Sequence, residues 1–117
     1  MKSVQSPVLT LDVAHPPRPP GEVEEELLQA WSQVRNSASF RILKVIHGYG
    51  KSGKGGATKE VARNWLFRNR SRFKRIVDGE NYGVFEAATQ ELRKHVGEYA
   101  DADIGAINPG ITIVWVK

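Results

Sequence analysis

Residues 41–66, RILKVIHGYGKSGKGGATKEVARNWL, decide how this chain folds. The stretch opens on Arg41 to Ile46, where Ile42, Leu43, Val45 and Ile46 are dense enough to predict a strand buried on both faces. His47 ends that strand. Gly48 to Gly56 then holds five of the eleven glycines of the chain, a composition that predicts a loop. A helix is expected to begin near Thr58, whose hydroxyl suits an N-cap, with Val61, Ala62, Trp65 and Leu66 on one face. Lys59, Arg63 and Arg70 gather on another face, so a basic stripe continues from the loop along the helix.

Working outward towards the N-terminus, Val8 to Val13 (VLTLDV) reads as a short strand followed directly by Ala14 and His15. Pro16 to Gly21 (PPRPPG) is a stiff proline-rich connector, because proline lacks the backbone donor and holds its predecessor extended. From Glu22 the spacing of Val23, Leu27, Trp31 and Val34 predicts a helix that closes at Asn36-Ser37, with Glu22, Glu24, Glu25 and Glu26 at the positive end of its dipole. Towards the C-terminus, Phe73 to Val77 reads as a third strand. Phe85 to Val96 reads as a third helix, with Phe85, Ala88, Leu92 and Val96 inward and Gly97 as its stop, and Ile111 to Val116 as the last strand. The alternation of strands and helices predicts an α/β fold whose first strands are parallel. One domain is expected over residues 1–117, with 1–7 a flexible N-terminal stretch and 16–21 the connector.

Charge is distributed unevenly. Residues 41–75 carry eleven lysines and arginines against Glu60 alone, a net +10, while 1–40 and 76–117 are each mildly acidic. Such a block repels itself, and a polyanion relieves it, so DNA or RNA is the expected partner; the alternative is a solvated basic face. The chain has no cysteine, which removes disulfides, thiolate metal sites and a thiol nucleophile. No apolar run approaches a membrane span, and the expected setting is cytoplasmic with no membrane partner.

A strand, glycine loop and helix N-terminus together present bare N–H groups to an anion. Gly48, Gly50 and Gly53 spell G-x-G-x-x-G with Asp78 at the end of the following strand, but a dinucleotide fold needs two mononucleotide halves and too few strands remain. Gly48 to Gly55 also has the outline of a phosphate loop, yet Gly55 stands where that motif needs a magnesium-binding hydroxyl.

A third reading rests on two motifs. Ile46-His47-Gly48-Tyr49-Gly50, followed by a glycine and a basic residue before a helix with Val61 and Trp65-Leu66, and the ending Asn108-Pro109-Gly110-Ile111-Thr112-Ile113-Val114, resemble the small MutS-related (Smr) domain over residues 9–116. The resemblance implies a two-layer α/β sandwich with a mixed four-stranded sheet in βαβαβ(α)β order, similar to the C-terminal domain of translation initiation factor three. It also implies nucleic-acid binding, in a family that includes endonucleases acting on DNA or RNA. The first motif of that family is usually Leu-Asp-x-His-Gly. Here the chain reads Leu11-Asp12-Val13-Ala14-His15-Pro16, so the histidine sits one place late and proline replaces glycine. In a strand that shift turns the side chain to the opposite face unless a turn at Ala14 restores its direction.

Hydrolysis of a phosphodiester needs a base for the attacking water, an acid for the leaving oxygen and cations on the phosphoryl group. His47 is the expected acid/base, Asp12 its orienting partner or the base, and His15 the third candidate. Gly48, Tyr49, Gly50, Lys51, Lys54, Lys59 and Arg63 are the expected nucleic-acid contacts, Tyr49 as a ring that stacks on an unpaired base or sugar or, alternatively, packs over the loop. Asp12, His15 and His47 have no metal-ligand spacing, so no metal or other cofactor is expected. Trp31 and Trp65 read as core, and His95 as a surface residue in the last turn of its helix. The expected activity is a DNA or RNA endonuclease; the alternatives are a binding-only nucleic-acid module and a protein-interaction domain that uses its acidic first helix.

Overall fold

Strand β2, Ile42–Ile46, lies inside the sheet, where side chains alternate into two separate cores. Leu43 and Val45 join one cluster and Ile42 and Ile46 the other, which is what a run apolar at successive positions requires. The computed structural model describes residues 6–49, 55–97, 99 and 101–117. Around β2 stand β1 (Val8–Asp12), β3 (Arg75–Asp78) and β4 (Ile111–Trp115), with helices α1 (Pro20–Arg35), α2 (Gly55–Arg68) and α3 (Ala87–Val96). The sheet order is β1-β2-β4-β3. Strands β1 and β2 are parallel, and β4 runs antiparallel to both β2 and β3. The mixed four-stranded sheet expected from the sequence is therefore present.

Helix α1 starts on two prolines. Pro19 is its N-cap residue and Pro20 its first helical position, where a missing N–H costs nothing, so the end of the expected connector belongs to the helix. Its buried positions Val23, Leu27, Ala30 and Val34 pack with Ala62, Trp65 and Leu66 of α2 on one face of the sheet. Phe73 falls before β3 and joins this core instead, its ring 6.3 Å from that of Trp65. The opposite face is covered by Leu92 of α3 with Tyr82 and Tyr99, against Ile111, Ile113 and Trp115. Layers thus lie on both sides of the sheet, α1 and α2 forming the expected helical layer and α3 a further cover.

Two expectations are corrected by local chemistry. Phe85 does not point inward: it is 92% exposed in a turn closed by the Glu86 N–H on the Gly83 carbonyl, and α3 begins only at Ala87, with Thr89 and Leu92 buried. Arg70 is not on α2, because that helix ends at Arg68 and the chain enters a 3-10 turn over Arg70–Arg72. Gly97 ends α3 at φ 98°, a left-handed conformation suited to glycine. Among the described residues no helix is long and apolar enough to cross a membrane.

Candidate functional site

Because β1, β2 and β3 all point the same way, their carboxyl ends and the start of β4 share one end of the sheet. This end collects Asp12 at the end of β1 and His15 beyond it, His47, Gly48 and Tyr49 after β2, Asp78 at the end of β3 and Gly110 before β4. The Gly110 carbonyl accepts the N–H groups of both His47 (2.9 Å) and Gly48 (3.0 Å), which ties the β2 exit to the β4 entrance. Gly48 leaves the strand at φ 72°, in the left-handed region that glycine adopts without strain.

Asp12 resolves the displaced first motif. One carboxylate oxygen accepts the backbone N–H of Ala14 (2.8 Å) and of His15 (3.1 Å), turning the chain just after the strand. The other oxygen meets Nδ1 of His15 at 2.8 Å. The turn at Ala14 thus returns the late histidine to its aspartate. Partial burial pushes the Asp12 carboxyl up, but the donors from Ala14 and His15 outweigh it and hold the group below its ordinary value. An ionised Asp12 fixes the proton on Nδ1 of His15, leaving Nε2 without that proton on a side chain that is 73% exposed.

His47 is placed differently from the expectation. It is fully buried, with Nδ1 2.7 Å from the Gly48 carbonyl and Nε2 2.8 Å from Thr112 Oγ1. A carbonyl only accepts, so Nδ1 carries the proton and Nε2 accepts the Thr112 hydroxyl. Thr112 Oγ1 in turn accepts Nε–H of Arg63 at 3.0 Å. Burial, opposed by the Gly48 hydrogen bond and reinforced by the charges of Arg63 and Lys59, lowers the imidazole to about 4. His47 is therefore neutral at pH 7 with both nitrogens occupied. Nor does Asp12 orient it: Asp12 pairs with Ile46 in the sheet, and the following residue turns the opposite way, so the two side chains leave opposite faces. His47, expected as the acid/base, thus stands buried with both nitrogens hydrogen-bonded and apart from Asp12.

Arg63 is likewise redirected. Its guanidinium bonds Glu80 (2.7 Å) and the Ile111 carbonyl (3.2 Å), and Asp78 lies 3.5 Å away, so it braces β3 and β4 rather than facing outward for phosphate. The Arg63 hydrogen bond, opposed by partial burial, lowers the Glu80 carboxyl to about 2. Lys59 is half-buried on the first turns of α2 and Tyr49 half-exposed. Gly50, Lys51 and Lys54 lie outside the described residues. Of the other cations in the +10 segment, Lys44 is held by Asp101 and Asp103, Arg68 by Glu24 and Arg75 by Glu91. Arg70 lies over Phe67, Arg72 over Trp31 and Lys74 over Trp115. Thr112 and Glu80 went unread in the sequence. A lone hydroxyl within ITIVWV is the one signal that pointed to Thr112, whereas Glu80 stands in a turn with no periodicity to mark it.

Among the described residues no group of three or more histidine, aspartate or glutamate side chains is placed to hold a metal ion. No protein-family model matches the sequence and no curated protein matches it. The structure is similar to the crystal structure of the Smr domain of Thermus thermophilus MutS2, with a TM-score of 0.54 at 20% identity, covering 94% of this chain and 96% of that one. With the sheet order and helices above, this likeness means that the chain has the Smr-domain fold.

Proposed function

We propose that this chain binds DNA or RNA and cleaves its phosphodiester backbone with the Asp12–His15 pair. The observation that carries the reading is the 2.8 Å contact between Asp12 and Nδ1 of an exposed His15, at the end of the sheet where the strands present their carboxyl ends. His15 Nε2 takes a proton from the attacking water, the carboxylate of Asp12 stabilises the imidazolium that forms, and as the P–O bond to the leaving oxygen breaks the imidazolium returns that proton to the leaving oxygen. The Gly48 turn, Tyr49 and Lys59, together with Lys51 and Lys54 of the glycine loop, supply the backbone contacts. His47 holds the β2 exit so that these groups stand beside His15.

A binding-only module is the second reading. It is favoured by the burial of His47, which leaves one exposed imidazole at this end of the sheet where a paired acid and base would use two. The deciding experiment is a cleavage assay on single-stranded, duplex and branched DNA and RNA, with and without chelator, comparing wild type with His15→Ala and Asp12→Asn. Cleavage by wild type that falls about a hundredfold in His15→Ala supports the nuclease. Binding without cleavage of any of these substrates gives the second reading first place.

A further inference from the structure

Between α2 and β3 lies a cleft of about 350 Å³ that the backbone contacts above do not use. Its apolar walls are Leu66, Ile76 and the ring of Phe67, and its polar groups include Asn64, Asp78 and Arg63. Phe67 is 62% exposed, an aromatic ring left to water on an otherwise polar helix surface. The guanidinium of Arg70 sits 4.0 Å from its centroid and bonds the Phe67 carbonyl at 2.8 Å, which holds the ring in place. A fixed, exposed ring beside an apolar wall suits a planar ligand that stacks.

Charge narrows the choice. Arg63 gives its short bonds to Glu80 and lies 3.5 Å from Asp78, and the Arg70 guanidinium stands over Phe67, so two cations are balanced by two carboxylates around the cleft. Among these groups no excess of positive charge is left to draw in a phosphate. Asp78, whose side chain is 42% exposed, keeps acceptor capacity for a donor-bearing ligand. Among the standard bases only guanine carries two adjacent donors on one edge, N1–H and the N2 amino group, to match a carboxylate with two parallel hydrogen bonds. Uracil and thymine offer one N–H between two carbonyls, and adenine and cytosine one amino group beside a bare ring nitrogen. Guanine also bears O6 next to N1, and Asn64 supplies an exposed amide on the same wall.

We infer that this cleft takes an unpaired guanine base of the bound strand, stacked on Phe67 with its Watson–Crick edge on Asp78. The base must be unpaired because that edge is occupied in a duplex. The inference rests on the nucleic-acid reading above and adds a base preference to it. Asp78 and Asp12 close β3 and β1, the two edge strands of the sheet.

The test has two arms on the full chain. In the first, isotope-labelled protein is titrated with GMP, AMP, CMP and UMP in the millimolar range. GMP is expected to shift the signals of Asn64, Phe67 and Asp78 at concentrations at least about tenfold below the other nucleotides, and equal responses to all four overturn the inference. In the second, single-stranded oligonucleotides carrying one guanine, or an abasic position in its place, are compared for wild type, Asp78→Asn and Phe67→Leu. Each variant is expected to lose about tenfold on the guanine strand and nothing on the abasic strand. Equal wild-type affinity for both strands, with GMP leaving these signals unmoved, removes the guanine site and leaves backbone binding standing. GMP shifts at the cleft with no binding to either strand keep the base site and remove the nucleic-acid reading.

Discussion

An imidazole exchanges protons with a substrate only where a nitrogen reaches it, and the two histidines beside the glycine turn differ in that respect. His47 is sealed between the Gly48 carbonyl and the Thr112 hydroxyl, whereas His15 stands in solvent against Asp12. Removing His47 strips partners from two buried polar groups and leaves a cavity. His47→Ala is therefore expected to lower stability by about 2–4 kcal/mol in urea unfolding. His15→Ala, at an exposed position, is expected to leave the unfolding midpoint within about 0.5 kcal/mol of wild type while abolishing most cleavage. A reversed pattern, with His47→Ala fully stable and inactive, would return the acid/base role to His47.

At the scale of elements, the β3 exit is locked to the β4 entrance by a glycine. A Cβ on Gly79 would lie 2.0 Å from the Asn108 carbonyl oxygen and 2.7 Å from that of Ile111, both backbone atoms that cannot move aside without shifting a strand. Gly79→Ala is expected to cost about 3 kcal/mol or more and to disturb the Arg63–Glu80 brace that begins one residue later, read as a lower midpoint in thermal unfolding. Gly97→Ala meets no atom within 4 Å and loses only the left-handed conformation at the end of α3, so its cost is expected to be smaller, about 1 kcal/mol. Equal effects at the two sites would remove the lock as the cause.

Charge and pH act on the whole molecule. Four cations of the +10 segment are matched by carboxylates from elsewhere in the chain: Lys44, Arg63, Arg68 and Arg75. With Lys51, Lys54 and Lys59 as the proposed phosphate contacts, binding to nucleic acid is expected to weaken with salt at a logarithmic slope of about −3, well short of the slope of about −10 that eleven free cations would give. A titration of affinity between low and moderate salt checks this. For pH, His47 sits at about 4 when folded against 6.5 as an unperturbed imidazole. Between those values the unfolded chain binds the extra proton, so stability rises with pH across this window and is complete above it, by an amount on the order of 3 kcal/mol. Glu80, held near 2, adds stability that is present above its ordinary 4.5 and is lost as pH falls towards 2. Urea unfolding at pH 7, 5.5 and 4.5 is expected to show the first loss, and His47→Gln to flatten it.

What the sequence determined by itself are the properties carried by neighbours along the chain. The apolar spacing of Val23, Leu27 and Val34, the doubly buried run Ile42 to Ile46 and the glycine turn after His47 state the strand and helix order, because period and turn chemistry act within a few residues. Helix edges were less legible: prolines read as connector start α1 at Pro20, since only their place at the N-terminus tells a helix-starting proline from a helix-breaking one. The tertiary structure alone decided which polar groups meet. Asp12 reaches His15 because a turn at Ala14 absorbs the extra residue, and His47 Nε2 is occupied by Thr112, sixty-five positions away in sequence. A count of charge could not foresee that Glu80 and Asp78 take Arg63, or that Asp101 and Asp103 take Lys44, because a charge is neutralised by proximity in space, and proximity is set by sheet order and packing.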